Sequence, residues 1–191
     1  MDIMTLIILS ACAYVVGAIP VGYVIARWGG IDNIFEYGSG SMGATNVGRS
    51  LGWLFFFMVL LGDTCKAYGM MIIAQWYTAE FVPLFCVAGG LMLGNSYSLF
   101  TKGRGGKGVA TLYGIILSMC SSIIIGMFTA LWLWGLIKTK KAGRASLIAV
   151  SLLPFICWAY RYNGLFFIPL SIFILFRHKA HVIEFLQQIN R

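Results

Sequence analysis

Four groups of polar residues interrupt an otherwise apolar chain, and each carries groups with a recognisable chemistry. The first is GSGSMGATNVGR, Gly38 to Arg49. It supplies three hydroxyls (Ser39, Ser41, Thr45), the amide of Asn46 and the guanidinium of Arg49. Its glycines let backbone approach a ligand closely. Gly38, Gly40 and Gly43 spell a GxGxxG, but no strand–helix–strand unit surrounds it, so a dinucleotide site does not follow. The inventory suits an anion, with Arg49 as a bidentate phosphate partner. A plain surface loop is the alternative.

The second group is GRGGKGVAT, Gly103 to Thr111. It is like a phosphate loop without being a Walker A sequence, since Gly108 stands where Ser or Thr would follow the lysine. Gly105, Gly106 and Lys107 offer close backbone and charge. A helix is expected to start near Val109, with Thr111 in its first turn, and a helix N-terminus attracts anions. A flexible basic loop that only fixes topology is the alternative. The third group is Asp63 and Lys66, three apart and so on one helix face. Inserting such charges into a bilayer costs about 2.5–3.5 kcal/mol each, so they mark either a polar cavity or an interhelical ion pair. The fourth is His178 with His181 one turn on. A histidine there can serve as a base, donate to phosphate or cap a helix end. No carboxylate or cysteine cluster accompanies them, so no metal site is expected.

The elements that hold these groups are membrane helices. Hydrophobic residues make up 60% of the 191 and charged residues 10%. A soluble domain has roughly 25% charged residues. Stretches able to span, at about 20 apolar residues each, fill nearly the whole chain. This leaves one membrane domain, residues 1–191, and no separate soluble one. The expected spans run about Ile3–Ala26, bent near Pro20 and Gly22, then Leu51–Tyr77, Phe81–Phe100, Ser146–Tyr160 and Leu165–Phe176. Met-Asp opens the chain without a basic leader, so the first span is expected to be retained. The five cysteines (Cys12, Cys65, Cys86, Cys120, Cys157) lie singly in apolar stretches and read as buried free thiols. Trp28, Trp53, Trp76, Tyr77, Trp158 and Tyr160 fall near span ends as an aromatic belt.

Charge placement sets the topology. The net charge of +8 does not call for nucleic acid, because the cations sit between spans as the positive-inside rule requires. Loops Arg27–Ser50 and Thr101–Gly108 are separated by two spans and share the cytoplasmic side. The most basic run, Lys138–Arg144, belongs there as a topology signal. An even number of crossings must then separate Gly108 from Leu136. One helix over that stretch would be roughly 45 Å long and would leave the run on the wrong side. A hairpin is expected instead, its first segment short and its turn near Ser118–Ser122. The fold is therefore an all-α polytopic bundle of about seven segments, with a short pair fourth and fifth. Its N-terminus is outside and its C-terminus cytoplasmic. Of 14 Lys and Arg, only Arg161 is then outside and only Lys66 within the membrane.

Over its whole length the chain resembles the bacterial acyl-phosphate:glycerol-3-phosphate acyltransferases. The resemblance rests on GSGSMGATNVGRSLG (Gly38–Gly52), Gly62-Asp63 with Lys66, GGKGVAT (Gly105–Thr111) and His178 after a final span. It implies a seven-span inner-membrane enzyme of phospholipid synthesis with a cytoplasmic site. The implied reaction moves a fatty acyl group from acyl phosphate to the 1-hydroxyl of glycerol 3-phosphate, giving lysophosphatidic acid. Both substrates carry phosphate, which matches two cationic glycine-rich loops. Acyl phosphate is already activated, so no cofactor is expected. The resemblance implies that Ser39, Arg49, Lys107 and His178 line the site. Ser41, Thr45, Asn46, Asp63, Lys66, Gly105, Gly106, Thr111 and His181 are expected to bind substrate. The hydroxyl attacks the carbonyl directly, its proton leaving to His178 or to the departing phosphate. Ser39 either donates to the carbonyl oxygen or serves as nucleophile. Neither histidine has Asp five positions on, which separates this chain from the other large glycerolipid acyltransferase class.

Four positions depart from the family's usual pattern. Asn95 stands for His, Ser98 for Pro, Ser41 for Asn and His181 for Asn, which points to an altered preference for donor or acceptor, to reduced activity or to a divergent paralogue. Expected partners are the two substrates, membrane lipid and an acyl-phosphate-forming enzyme. Two rival expectations use the same residues. A small transporter would also need a polar pathway such as Asp63 and Lys66, though no duplicated half is present. A non-catalytic partner in a lipid-synthesis complex would also carry the motifs with departures.

Overall fold

The computed structural model describes residues 1–179, and these contain helices and no strand. His181 lies outside the described residues. The helices group into two compact units, Met1–Ser118 and Met119 onward.

In the first unit, α1 (Ile3–Ala18) starts on Asp2, whose carboxylate accepts from the Thr5 N–H at 2.8 Å. That bond, with a second from the Thr5 hydroxyl, holds the Asp2 carboxyl below the usual carboxylate range. The first expected span is broken where its sequence forecast a bend. Proline at position 20 cannot continue a hydrogen-bonded helix, so α2 (Val21–Trp28) starts anew. After an irregular stretch come α3 (Ala44–Leu51) and α4 (Trp53–Tyr77), separated by Gly52 at φ +101°. Then follow α5 (Phe81–Ser96) and α6 (Val109–Met119). The helix begins at Val109 as expected. At 11 residues it measures about 16 Å, roughly half the hydrocarbon thickness.

Small residues let these helices approach closely, as in other membrane bundles. A Cβ on Gly17 would strike the Leu91 carbonyl, one on Gly90 the Ser10 carbonyl, and one on Gly94 the Tyr14 carbonyl. Those three positions bring α1 and α5 backbone to backbone. Gly114 does the same for α6 against Thr64 of α4, and the Thr64 hydroxyl donates to the Ala110 carbonyl at 3.2 Å. The Met1 amine lies 3.8 Å from Glu80, so the start of α1 shares one end of the unit with the α4–α5 turn.

The second unit holds α7 (Ser122–Thr139), α8 (Ala142–Ala159) and α9 (Gly164–Arg177). Gly135 packs 2.9 Å from the Ala145 backbone, measured from the Cβ it lacks. The Trp132 indole donates to the Ser146 hydroxyl at 3.1 Å. A break at Cys120–Ser121 falls inside the turn expected between Ser118 and Ser122.

Among the described residues, five stretches are long and apolar enough to span a membrane, and α6 and α9 are shorter apolar helices. The cysteine expectation needs correction. All five thiols are free, but only Cys157 is buried, while Cys12 and Cys65 are exposed. A bundle bathed in lipid has an apolar exterior, so a small hydrophobe there need not be covered by protein.

Candidate active site

The first glycine-rich segment is organised from within by one side chain. Asn46, in the first turn of α3, is 2% exposed. Its Nδ2 donates to the carbonyls of Ser41 at 2.8 Å, Tyr37 at 2.9 Å and Ile34 at 3.4 Å. Its Oδ1 accepts from the Ser39 N–H at 2.8 Å. Both ends of the amide are thus spent on the loop. The loop curls back at Gly38 and Gly40, with φ of +50° and +63°. A side chain at Gly38 would collide with the Asn46 amide. Under this frame Ser39 is exposed, and its Oγ lies 3.0 Å from that of the buried Ser41.

The Arg27–Ser50 stretch, expected to be loop, is helix from Ala44 on, because ATNVGRSL has a buried face. Ala44, Asn46 and Val47 point inward. Thr45 and Arg49, four apart, share the opposite, exposed face. Arg49 Nη1 comes 3.5 Å from the Cβ position of Gly38, so its guanidinium sits beside the curl of the loop. The acidic residues nearby in sequence are engaged elsewhere. Asp32 faces Arg27 at 3.9 Å, and Glu36 accepts from the Asn33 amide. Among the described residues Arg49 has no hydrogen-bond or ion-pair partner.

The second segment is pressed against the end of α5. The Gly106 N–H donates to the Asn95 carbonyl at 2.9 Å. A Cβ on Gly105 would strike the carbonyls of Asn95 and Ser96, and one on Gly106 would lie 2.9 Å from Asn95 Nδ2. These glycines are needed for the approach, and the Gly106 N–H is committed to α5. Lys107 is half-buried between them and Gly108, whose φ of +87° turns the chain into α6. Thr111 is fully buried, and its hydroxyl has no partner among the described residues.

Arg104, which carried no expected role, joins the two segments. Its Nη2 donates to the Phe35 carbonyl at 3.3 Å, and its guanidinium carbon stands 4.3 Å over the Phe35 ring. Both glycine-rich segments therefore lie at the same end of the first unit, away from the Glu80 turn. The signal was a cation directly before GGKG with an aromatic just ahead of GSGS, too generic to read as a pair.

Asp63 and Lys66 are buried and in contact at 2.7 Å. The Lys66 ammonium also donates to the carbonyls of Gly17 and Ile19, each at 2.9 Å, and to Asn95 Oδ1 at 3.3 Å. Ser98 Oγ donates to the Ala18 carbonyl. These carbonyls belong to the end of α1, orphaned by the break at Pro20. The geometry is that of an interhelical tether. Asn95 and Ser98 sit within the same network, at 2% and 0% exposure.

His178 belongs to the second unit, where it ends α9. It is 3% exposed, and its Nδ1 lies 2.9 Å from the Ile174 carbonyl. A carbonyl only accepts, so Nδ1 carries a proton and donates it there.

A family model described as glycerol-3-phosphate acyltransferase matches residues 7–188. A glycerol-3-phosphate acyltransferase of Geotalea daltonii is 32% identical over 92% of this chain and 91% of its own. One of a Synechococcus strain is 41% identical over 76% and 72%. Two solved structures of PlsY (YgiH), an integral membrane glycerol 3-phosphate acyltransferase, superpose on 96% of this chain and 93% of theirs. The glycerol 3-phosphate form gives a TM-score of 0.89 at 27% identity, and the lysophosphatidic acid form 0.87 at 28%. With a match that runs nearly end to end in sequence and in fold, this membrane protein belongs to the glycerol-3-phosphate acyltransferase family.

Proposed function

We propose that the protein transfers a fatty acyl group from acyl phosphate to the 1-hydroxyl of sn-glycerol 3-phosphate, giving lysophosphatidic acid and inorganic phosphate. The observation that carries this reading is the pairing of two cationic glycine-rich segments at one end of the first unit, held by Arg104 on Phe35. Both substrates are phosphate esters or anhydrides, and the unpaired Arg49 is suited to grip one of them bidentately. Lys107 supplies a second charge at the start of α6, where the helix dipole adds to it.

In the reaction the glycerol hydroxyl attacks the acyl carbon, and the bond from that carbon to the phosphate oxygen breaks. The hydroxyl proton goes to His178 or to the leaving phosphate. Ser39 donates to the carbonyl oxygen as negative charge gathers there. An acyl group carried on Ser39 is the competing route, read out by label from the donor bound to that residue. The role of His178 rests on the resemblance of the sequence and is tested by its own substitution. Thr45 shares Arg49's exposed face and is assigned to the acceptor side.

The whole chain works as one catalytic domain in this reading. Seven crossings place the glycine-rich end in the cytoplasm of a bacterial inner membrane, where glycerol 3-phosphate is found. An enzyme forming acyl phosphate is a natural neighbour, because its product is both membrane-bound and labile. Purified protein in detergent, given acyl phosphate and glycerol 3-phosphate, should form lysophosphatidic acid and release phosphate in equal amounts. Solute flux in liposomes without that product would replace the reading with transport.

A further inference from the structure

We infer that Arg104 is a positioning residue that locks the two glycine-rich segments into one unit and thereby sets the place of Ser39. This rests on the acyltransferase reading for its kinetic consequence, though not for its geometry.

The chain of contacts is continuous. The backbone of Arg104 is fixed first: its N–H donates to the Thr101 carbonyl at 3.1 Å, and its own carbonyl accepts from the Thr101 hydroxyl. The side chain then leaves the second segment and lands on Phe35 through two contacts. One N–H meets the carbonyl at 3.3 Å while the guanidinium carbon stands 4.3 Å from the ring centre. Phe35 is itself held. It is 8% exposed, and its ring is stacked 6.0 Å from that of Tyr23 on α2. The residues on either side of the Phe35 carbonyl are tied to Asn46, through Ile34 at 3.4 Å and Tyr37 at 2.9 Å. Asn46 in turn fixes the Ser39 N–H. A movement of the second segment is thus passed through three links, Arg104 to Phe35, the chain around Phe35 to Asn46, and Asn46 to Ser39.

Arg104 is suited to this and lysine is not. A planar guanidinium stacks and donates edge-on together, whereas an ammonium is a point charge that serves one contact well. The residue is exposed, so its replacement leaves the core untouched. It also stands two residues before Gly106, whose N–H is bound to α5. The strut therefore spans from an anchored part of one segment to an anchored part of the other.

The test combines kinetics with a distance measurement that needs no activity. Spin labels at Tyr37 and Lys102, both exposed, report the separation of the segments. Arg104→Met should broaden the distance distribution seen in the otherwise native chain. It should lower kcat about tenfold, the factor given by ~1.4 kcal/mol. KM for glycerol 3-phosphate should stay within about threefold, because alignment and not binding is lost. Arg104→Lys should fail to restore kcat. Phe35→Leu should copy the defect, and the double variant should be no worse than either single one.

An unchanged distance distribution in Arg104→Met overturns the inference. So does a raised KM with kcat intact and rescue by lysine, which would make Arg104 a phosphate ligand. Additive effects of the Arg104 and Phe35 changes overturn it as well. If the native chain makes no lysophosphatidic acid but Arg104→Met still broadens the distribution, the strut stands and the functional reading falls.

Discussion

At the scale of single residues, the cluster of hydroxyls, amide and guanidinium divides into groups that face outward and groups that face in. Arg49 and Ser39 are exposed, and Asn46 is buried with every polar atom engaged. Their substitutions should therefore fail in different ways. Arg49→Ala and Lys107→Ala remove charge from a folded protein. Turnover should fall about 100-fold or more, since charge-assisted bonds to a phosphate are the strong kind. Thermal unfolding of Arg49→Ala, whose side chain is exposed, should barely move. Wild-type rates in both variants would defeat the site assignment. Asn46→Asp keeps the size and the Oδ1 acceptor but turns the Nδ2 donor into a second acceptor, facing three carbonyls. Leaving such groups unpaired costs about 1–3 kcal/mol each, and more with a charge. The melting temperature should therefore drop along with activity. A variant that melts like the parent while losing activity would return Asn46 to the substrate.

Composition alone announced these residues as polar and clustered. It did not reveal which of them were consumed internally, because that depends on carbonyls up to twelve positions away in the chain. Asn46 and Arg49 look equally available in a string of letters. Only the register of α3, with Ala44 and Val47 buried, turns one inward and the other out. Arg104 was invisible for a similar reason, since its partner lies 69 residues earlier.

At the scale of elements, the break in the first span is the feature that the charged pair in α4 exists to repair. A proline in a lipid-bathed helix leaves carbonyls with no water to take them. Here Lys66 takes those of Gly17 and Ile19, and Ser98 takes that of Ala18. Asp63 neutralises the lysine at 2.7 Å. The break was legible from Pro20, and the pair was legible from its spacing. Their connection was not, because it crosses from one helix to another. Lys66→Met should be severe, since it strands a buried carboxylate and the Gly17 carbonyl. Removing one partner of a buried pair costs about 3–5 kcal/mol. Asp63→Asn together with Lys66→Met removes the stranded charge and should recover part of that loss. Thermal unfolding in detergent gives the order directly. If Lys66→Met alone melted within about two degrees of the parent, the shift of no more than ~1 kcal/mol in a chain of this size, the tether would not carry the expected weight. The same network reads the departures at Asn95 and Ser98 as matters of packing. Both side chains bond to helix α1 or to the lysine that holds it, and neither is exposed to a ligand.

At the scale of the whole molecule, the placement of cations was the most informative feature of the chain, because a membrane sorts them by side. Two spans between two basic loops require those loops to share a face. Arg104 reaching Phe35 satisfies that requirement within the first unit. The start of α1 and the Glu80 turn meet at its other end, and α4, at 25 residues, separates the ends by roughly 37 Å. Span boundaries were less legible. The hydropathy of Ile3–Ala26 is continuous across a proline, and that of Leu51–Tyr77 says nothing of the helix before Gly52. Hydropathy reports solvent, whereas helix ends report backbone bonding. The arrangement makes a prediction about access that needs neither substrate nor a stable mutant core. In a cysteine-free background, Thr45→Cys and Lys102→Cys should react with an impermeant maleimide only from the cytoplasmic side. Glu80→Cys should react only from the opposite side. All three positions are exposed, so each side supplies a positive signal for the other. Finding Thr45 and Lys102 on different faces would mean that a guanidinium and an ammonium separated by a bilayer cannot hold phosphates for one reaction. Finding both outside would keep the shared pocket and reverse the membrane orientation, and would require the glycerol phosphate to be supplied from outside the cell.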